Sequence, residues 1–169
     1  MLAVGCSSSP FLIIYQVSGT TFTKLPGPTE IPPSVGNSVG FSPNGEFLFV
    51  KSSFDLLIYK ISGTTFTKLP SPAILPGTAS TADGCSWSPD SNFLLIITSG
   101  SPMFSMYQRI GSSFIPLKKP TTSPGNLSGI MGSFSNNGRF LATGTGTGGV
   151  KVYEIDQKII KSNKFIPAL

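Results

Sequence analysis

Seven carboxylates, two thiols, two arginines and no histidine are the reactive groups of this 169-residue chain. Cleaving a glycosidic bond takes two carboxylates facing each other across it. The carboxylates are Glu30, Glu46, Asp55, Asp83, Asp90, Glu154 and Asp156, and none forms a close pair in the sequence. Glu154 and Asp156 flank Ile155 on one face of a strand, where a solvated role is the ordinary reading. Asp90 lies inside a turn string and Glu46 beside one. Serine or cysteine nucleophiles lack their usual histidine base, and Cys/His zinc sites are excluded for the same reason. Cys6 and Cys85 make no disulfide framework and are expected as free, partly buried thiols. No catalytic residue, cofactor or metal is expected, and the chain reads as a non-enzyme.

Three weaker motifs fail on detail. The glycine-rich run Gly144–Gly149 lacks the Gly-Lys-Ser/Thr ending of a phosphate loop and precedes a strand, not a helix. STADGCSW (Ser80–Trp87) is similar to the Ser-x-Asp-x-Gly-x-Thr-Trp box of sialidase propellers. However, Asp83 and Gly84 are adjacent, and the chain has two arginines where sialidases use three. Cys6, followed by serines, resembles a lipobox, but only five residues precede it, fewer than an apolar leader of roughly 7–15 residues needs. Net charge is +5. Lys158, Lys161 and Lys164 form its densest cluster, read as a solvated segment. Base readout leans on arginine, so no nucleic acid is expected. No apolar run reaches the roughly 18 residues of a membrane span.

The elements that carry these residues repeat. SGTTFTKLP occurs at Ser18–Pro26 and again, 44 residues later, at Ser62–Pro70. The four tyrosines, Tyr15, Tyr59, Tyr107 and Tyr153, recur at spacings of 44, 48 and 46, each in a strand-like string. A second landmark reads FSPNGEFL from Phe41, WSPDSNFL from Trp87 and FSNNGRFL from Phe134. A third places Phe22, Phe66 and Phe114 in TFTKLP, TFTKLP and SFIPLK. Recurrence of Tyr15, Tyr59, Tyr107 and Tyr153, of Phe41, Trp87 and Phe134, and of Phe22, Phe66 and Phe114 predicts packing between units. A ligand site usually breaks such symmetry. Each unit reads as four short strands, with Pro/Asn/Asp/Gly turns and Pro-rich crossovers. The units lie at about 1–25 (partial), 36–69, 81–117 and 129–169 of a single domain, 1–169.

Four antiparallel strands every 44–48 residues describe a blade of a β-propeller. The strings FSPNGEFL, WSPDSNFL and FSNNGRFL resemble the aromatic-Ser-Pro-Asp-Gly segment of WD40-like repeats, and the tyrosine strings LIIYQV, LLIYKI, FSMYQRI and VKVYEI resemble their strand that ends in Trp-Asp, with tyrosine in the tryptophan slot. Gly-His and Trp-Asp, the family's polar network, are missing. The texture also resembles repeats of bacteriophage tail and fibre proteins. The resemblance implies an all-β fold, a β-propeller of four-stranded antiparallel blades with about 3.75 repeats, the first blade lacking its inner strand. It also implies a non-enzymatic virion or extracellular surface component that binds proteins or a receptor, a carbohydrate-binding or carbohydrate-active secreted propeller being the alternative. The expected partners are other virion or surface proteins, a second copy or a strand-completing neighbour chain, and a host glycan.

Overall fold

A computed structural model describes residues 1–53, 55–77, 82–98, 104–118, 131–144, 149–155 and 166–167. Among them lie four antiparallel sheets, each with its strands in sequence order. The first holds β1 (Leu2–Gly5), β2 (Leu12–Ser18) and β3 (Thr21–Lys24). The second holds β4 (Gly36–Phe41), β5 (Phe47–Ser52), β6 (Leu56–Ser62) and β7 (Thr65–Lys68). The third holds β8 (Ala82–Trp87), β9 (Phe93–Thr98), β10 (Phe104–Ile110) and β11 (Ser113–Pro116). The fourth holds β12 (Gly132–Phe134), β13 (Phe140–Gly144), β14 (Val150–Glu154) and β15 (Ile166–Pro167). This is the all-β propeller architecture, with the first blade one strand short.

The leading strands of successive sheets stand side by side: β4 against β8, β8 against β12, and β1 against β4. They pack closely because they carry small residues. A Cβ on Gly5 would lie 2.1 Å from the carbonyl oxygen of Gly36, so only glycine lets β1 approach β4 at that point.

The second and third sheets bury both faces. On β5, Leu48 and Val50 join Leu12 and Ile14 of the first sheet, while Phe47 and Phe49 join Trp87 and Phe114 of the third. The next interface repeats the layout, with Leu95, Ile97, Phe104 and Met106 packed on Leu141 and Tyr153. Covering from both sides is why β5 and β9 read as continuous apolar runs rather than alternating ones.

The recurring aromatic-Ser-Pro/Asn turn has one construction in three places. Ser42 Oγ donates to Asn44 Oδ1 at 2.6 Å, Ser88 Oγ to Asp90 Oδ1 at 2.5 Å and Ser135 Oγ to Asn137 Oδ1 at 2.7 Å. Each serine hydroxyl also accepts the backbone N–H five residues on. The fourth turn residue is left-handed: Gly45 (φ 73°), Ser91 (φ 60°) and Gly138 (φ 68°). Serine tolerates this at Ser91 because its hydroxyl accepts Asn44 N–H across the blade interface at 3.0 Å. Asp90 accepts from Ser88 and twice from Asn92, and these bonds hold its carboxyl below the usual range despite partial burial. Ser88→Ala leaves the buried Phe93 N–H without its side-chain acceptor. An expected loss of about 1–3 kcal/mol should appear as a lower urea midpoint at unchanged slope. An unchanged midpoint would show the turn holds without it.

One expectation is corrected. Phe22 does not pack inward; it is exposed, although Phe66 and Phe114 in the same slot are buried. That slot faces the preceding blade, and among the described residues no sheet packs on that side of the first. The Lys158/Lys161/Lys164 cluster, Asp156, most of the glycine-rich run, the 98–103 loop after Thr98 and most of the third crossover lie outside the described residues.

Candidate functional site

The strand directions sort the connections onto two ends of the sheets. The Ser-Pro/Asn turns and the two-residue turns at Gly19, Gly63 and Gly111 share one end and repeat closely. The crossovers that enter the second and third sheets and the loop after β5 share the other end, and there the sequence varies. Unit-specific loops on one end of a repeat array are the usual place for recognition.

At that variable end two of the tyrosines, Tyr59 and Tyr107, serve as latches. Tyr59 and Tyr107 are fully buried. Tyr59 donates its hydroxyl to Glu30 O at 2.8 Å, and Tyr107 to Ile74 O at 2.9 Å. Each acceptor belongs to the crossover that enters the tyrosine's own blade. Tyr153 is buried in the fourth sheet, while Tyr15, in the first, is only half-buried. Phe41 is partly buried, and Trp87 and Phe134 are buried at the ends of β8 and β12.

The latch on Glu30 organises a polar groove. Prolines at 26, 28, 32 and 33 favour an extended crossover, and Tyr59 fixes its path. Glu30 then reaches the end of β7, where Lys68 Nζ donates to its Oε2 at 2.9 Å. Asp55, from the loop after β5, and Ser71, from the next crossover, line the same groove with Ile31 and Pro33, around a volume of about 300 Å³. Two carboxylates and an ammonium thus converge from separate segments. The corresponding groove of the third blade, around Ile74 and Tyr107, is lined by Phe104, Met106, Pro116, Leu117 and Lys118. It is mainly apolar and smaller, at about 160 Å³.

Beneath Asp55 lies a residue that sequence reasoning missed. Lys51 is fully buried in a slot taken by Ile97 and Gly144 in the next two blades. Its Nζ donates to Ser52 O and, at 3.3 Å, to Ser53 O. Burial lowers its pKa, which the nearby Cys85 and Asp55 charges partly offset. Lys51 clamps the loop that carries Asp55. Across the seam, burial pushes the Cys85 thiol up to about 11, against a hydrogen bond to Ser38 that favours the thiolate, so Cys85 stays protonated at neutral pH. Both cysteines are free and part-buried. Among the described residues, no three His, Cys, Asp or Glu side chains group as metal ligands, and no helix is long and apolar enough to cross a membrane.

The sequence reading found no close carboxylate pair, and none of the residues it singled out for packing lines this groove. Glu30 and Asp55 meet only because a crossover folds back over its own blade.

No family model matches the sequence, and no curated protein does. Solved structures do. A protein from Lactobacillus plantarum matches at TM-score 0.68 and 17% identity, over 94% of this chain and 48% of its own. A candidate 6-phosphogluconolactonase from Bacteroides uniformis matches at TM-score 0.65 and 12% identity, over 93% and 47%. The WD40 repeats of RRP9 match at TM-score 0.55 and 17% identity, over 79% and 38%. The likeness establishes the propeller fold, and the chain spans just under half the length of the first two. WD40 folds are in general protein-interaction scaffolds.

The expectation of a non-enzymatic virion or surface component is corrected by these likenesses, which lie with lactonase-like and WD40 propellers. The phage-like texture consisted of the tyrosine strings, the SGTTFTKLP turn and strand, the Pro-rich link and the Ser-Pro/Asn turn caps. These do the structural work of a blade and carry no information about a virion.

Proposed function

We propose that this chain is an arc of a β-propeller that binds a small polyhydroxylated acid, or its lactone, in the Glu30–Asp55–Lys68 groove. The observation that carries the reading is the convergence of these three charged groups in one blade, with no counterpart in the next among the described residues. Carboxylates accept hydrogen bonds from ligand hydroxyls, and an ammonium pairs with an acid group. Opening a lactone needs water activated by a base and a cation near the carbonyl oxygen, and the groove holds both kinds of group. The candidate lactonases among the similar folds support the choice of ligand class.

The test is titration with gluconolactone and with gluconate and 6-phosphogluconate, followed by calorimetry and by acid release. Binding at millimolar ligand is expected, weakened about tenfold or more in Asp55→Asn and Lys68→Ala, in keeping with about 1.4 kcal/mol or more per charged contact. Binding that both variants leave intact, or no binding at all, would reject the groove.

A further inference from the structure

The groove around Ile74 and Tyr107 is built on the plan of the Glu30 groove, with different groups on its walls. Tyr59 and Tyr107 hold the same strand position, and each bonds the crossover that enters its blade, at Glu30 O and Ile74 O. Ile74 thus stands where the second blade has Glu30. Pro116 lies opposite Tyr107 as Lys68 lies opposite Tyr59. The ion pair of one groove is therefore an isoleucine and a proline in the other.

One cross-strand position runs the other way. Leu117 N–H donates to Met106 O at 2.8 Å, so the β10–β11 ladder continues past Pro116 and sets Lys118 opposite Ser105. The same position holds Leu57 opposite Pro70 in the second blade and Ile13 opposite Pro26 in the first. A hydroxyl and an ammonium thus replace an aliphatic side chain and a proline, in one blade only of these three. Residues directly opposite keep their Cβ atoms about 4.5–5.5 Å apart, within reach of one small group. Both line the cavity. Ser105 is 8% exposed, and its Oγ is buried without a hydrogen-bond partner. It lies beside the Tyr107 hydroxyl, whose proton goes to Ile74 O. Buried polar atoms are as a rule paired, so this one marks a place for a ligand atom. Lys118 is exposed and pairs with no carboxylate among the described residues. No described carboxylate lines the cavity either.

From this pair and its apolar wall we infer a second binding site, for a small apolar carboxylic acid. The carboxylate accepts from Ser105 Oγ and Lys118 Nζ, and the hydrocarbon body lies against Ile74, Phe104, Met106 and Leu117. The serine hydroxyl reaches the ligand by turning between staggered wells. Hydrogen bonds to an ionised carboxylate are the strong kind. The cavity of about 160 Å³ is close to the roughly 150 Å³ that holds benzene, which sets the body at about six carbons. The site shares no residue with the Glu30–Asp55–Lys68 groove, so the inference does not rest on the ligand assigned there.

Calorimetric titration of the 169-residue chain with hexanoate tests it. Binding at millimolar hexanoate is expected, with hexylamine weaker by about tenfold or more, since an ammonium meets Lys118 with like charge. Ser105→Leu puts into the slot the side chain that Leu57 already provides in the second blade, so the melting temperature should hold while hexanoate binding is lost. Lys118→Gln, at an exposed position, should weaken hexanoate about tenfold with the fold kept, and decides the matter alone should Ser105→Leu not fold. Asp55→Asn should leave hexanoate binding unchanged. No hexanoate binding by the wild type overturns the inference. So does equal binding of hexylamine, or hexanoate binding that Lys118→Gln or a folded Ser105→Leu leaves intact. Loss of hexanoate binding in Asp55→Asn also overturns it, since it would place the ligand in the other groove.

Discussion

Trp87→Ala should be among the most destabilising single substitutions in the chain, at about 3–5 kcal/mol against the roughly 5–15 kcal/mol that holds a domain together. The indole is buried between the second and third sheets. Its ring centroid lies 5.8 Å from that of Phe114 and 6.4 Å from those of Phe47 and Phe49. Its Nε1 donates to Gly40 O across the seam at 3.3 Å. Truncation therefore opens a cavity among three aromatic rings and leaves the part-buried Gly40 carbonyl short of one donor. Trp87→Phe is the informative control. Phe41 and Phe134 occupy the same slot in the neighbouring blades, so the slot accepts phenylalanine, and a cost of about 1–2 kcal/mol is expected from the lost hydrogen bond and smaller ring. Trp87 is the only tryptophan, so unfolding should be followed by circular dichroism in urea. Equal losses in the two variants would mean that the indole N–H, not the volume, is what matters. A loss below about 1 kcal/mol in Trp87→Ala would show that the two sheets do not unfold as one cooperative unit.

The slot argument shows what the sequence could and could not carry. Strand order, turn positions and the short first blade are visible in it because they depend on local period and on turn residues that recur every 44–48 positions. Phe22 shows the limit of the same reasoning. Its recurrence in TFTKLP marks a packing position, but whether that position is filled depends on a neighbouring blade and not on the string. The groove was hidden for another reason. Glu30, Asp55 and Lys68 share no spacing rule, and they meet because the Tyr59 hydroxyl pins the crossover through a backbone carbonyl, an acceptor that every residue offers. Lys51 was hidden as well. A lysine in EFLFVKSS reads as a strand end reaching solvent, whereas the loop after β5 turns its carbonyls back over the ammonium.

The same latches predict how the fold fails in base. Burial raises the hydroxyl pKa values of Tyr59, Tyr107 and Tyr153, and the negative charge of Glu30 adds to the rise at Tyr59. In the unfolded chain these groups ionise near pH 10. The unfolded state therefore sheds protons first as pH rises, so the stability these hydroxyls confer is present below about pH 10 and lost above it. Cys85 acts in the same direction from about pH 9, because its thiol is raised to about 11 in the fold. Lys51 opposes them: its lowered pKa makes the buried ammonium a cost at neutral pH, relieved as pH climbs toward 10.5. Four groups outnumber one, so the melting temperature should fall steeply above about pH 10. The double variant Tyr59→Phe/Tyr107→Phe should be less stable at neutral pH, by about 1 kcal/mol per lost hydrogen bond, yet decline more shallowly in base, so that the two curves converge. Melting followed from pH 7 to 11 tests this. Parallel curves would show that the latches do not govern alkaline stability. Convergence would mean that the hydroxyl holding Glu30 over its blade, and with it the polar groove, is also the proton that alkali removes.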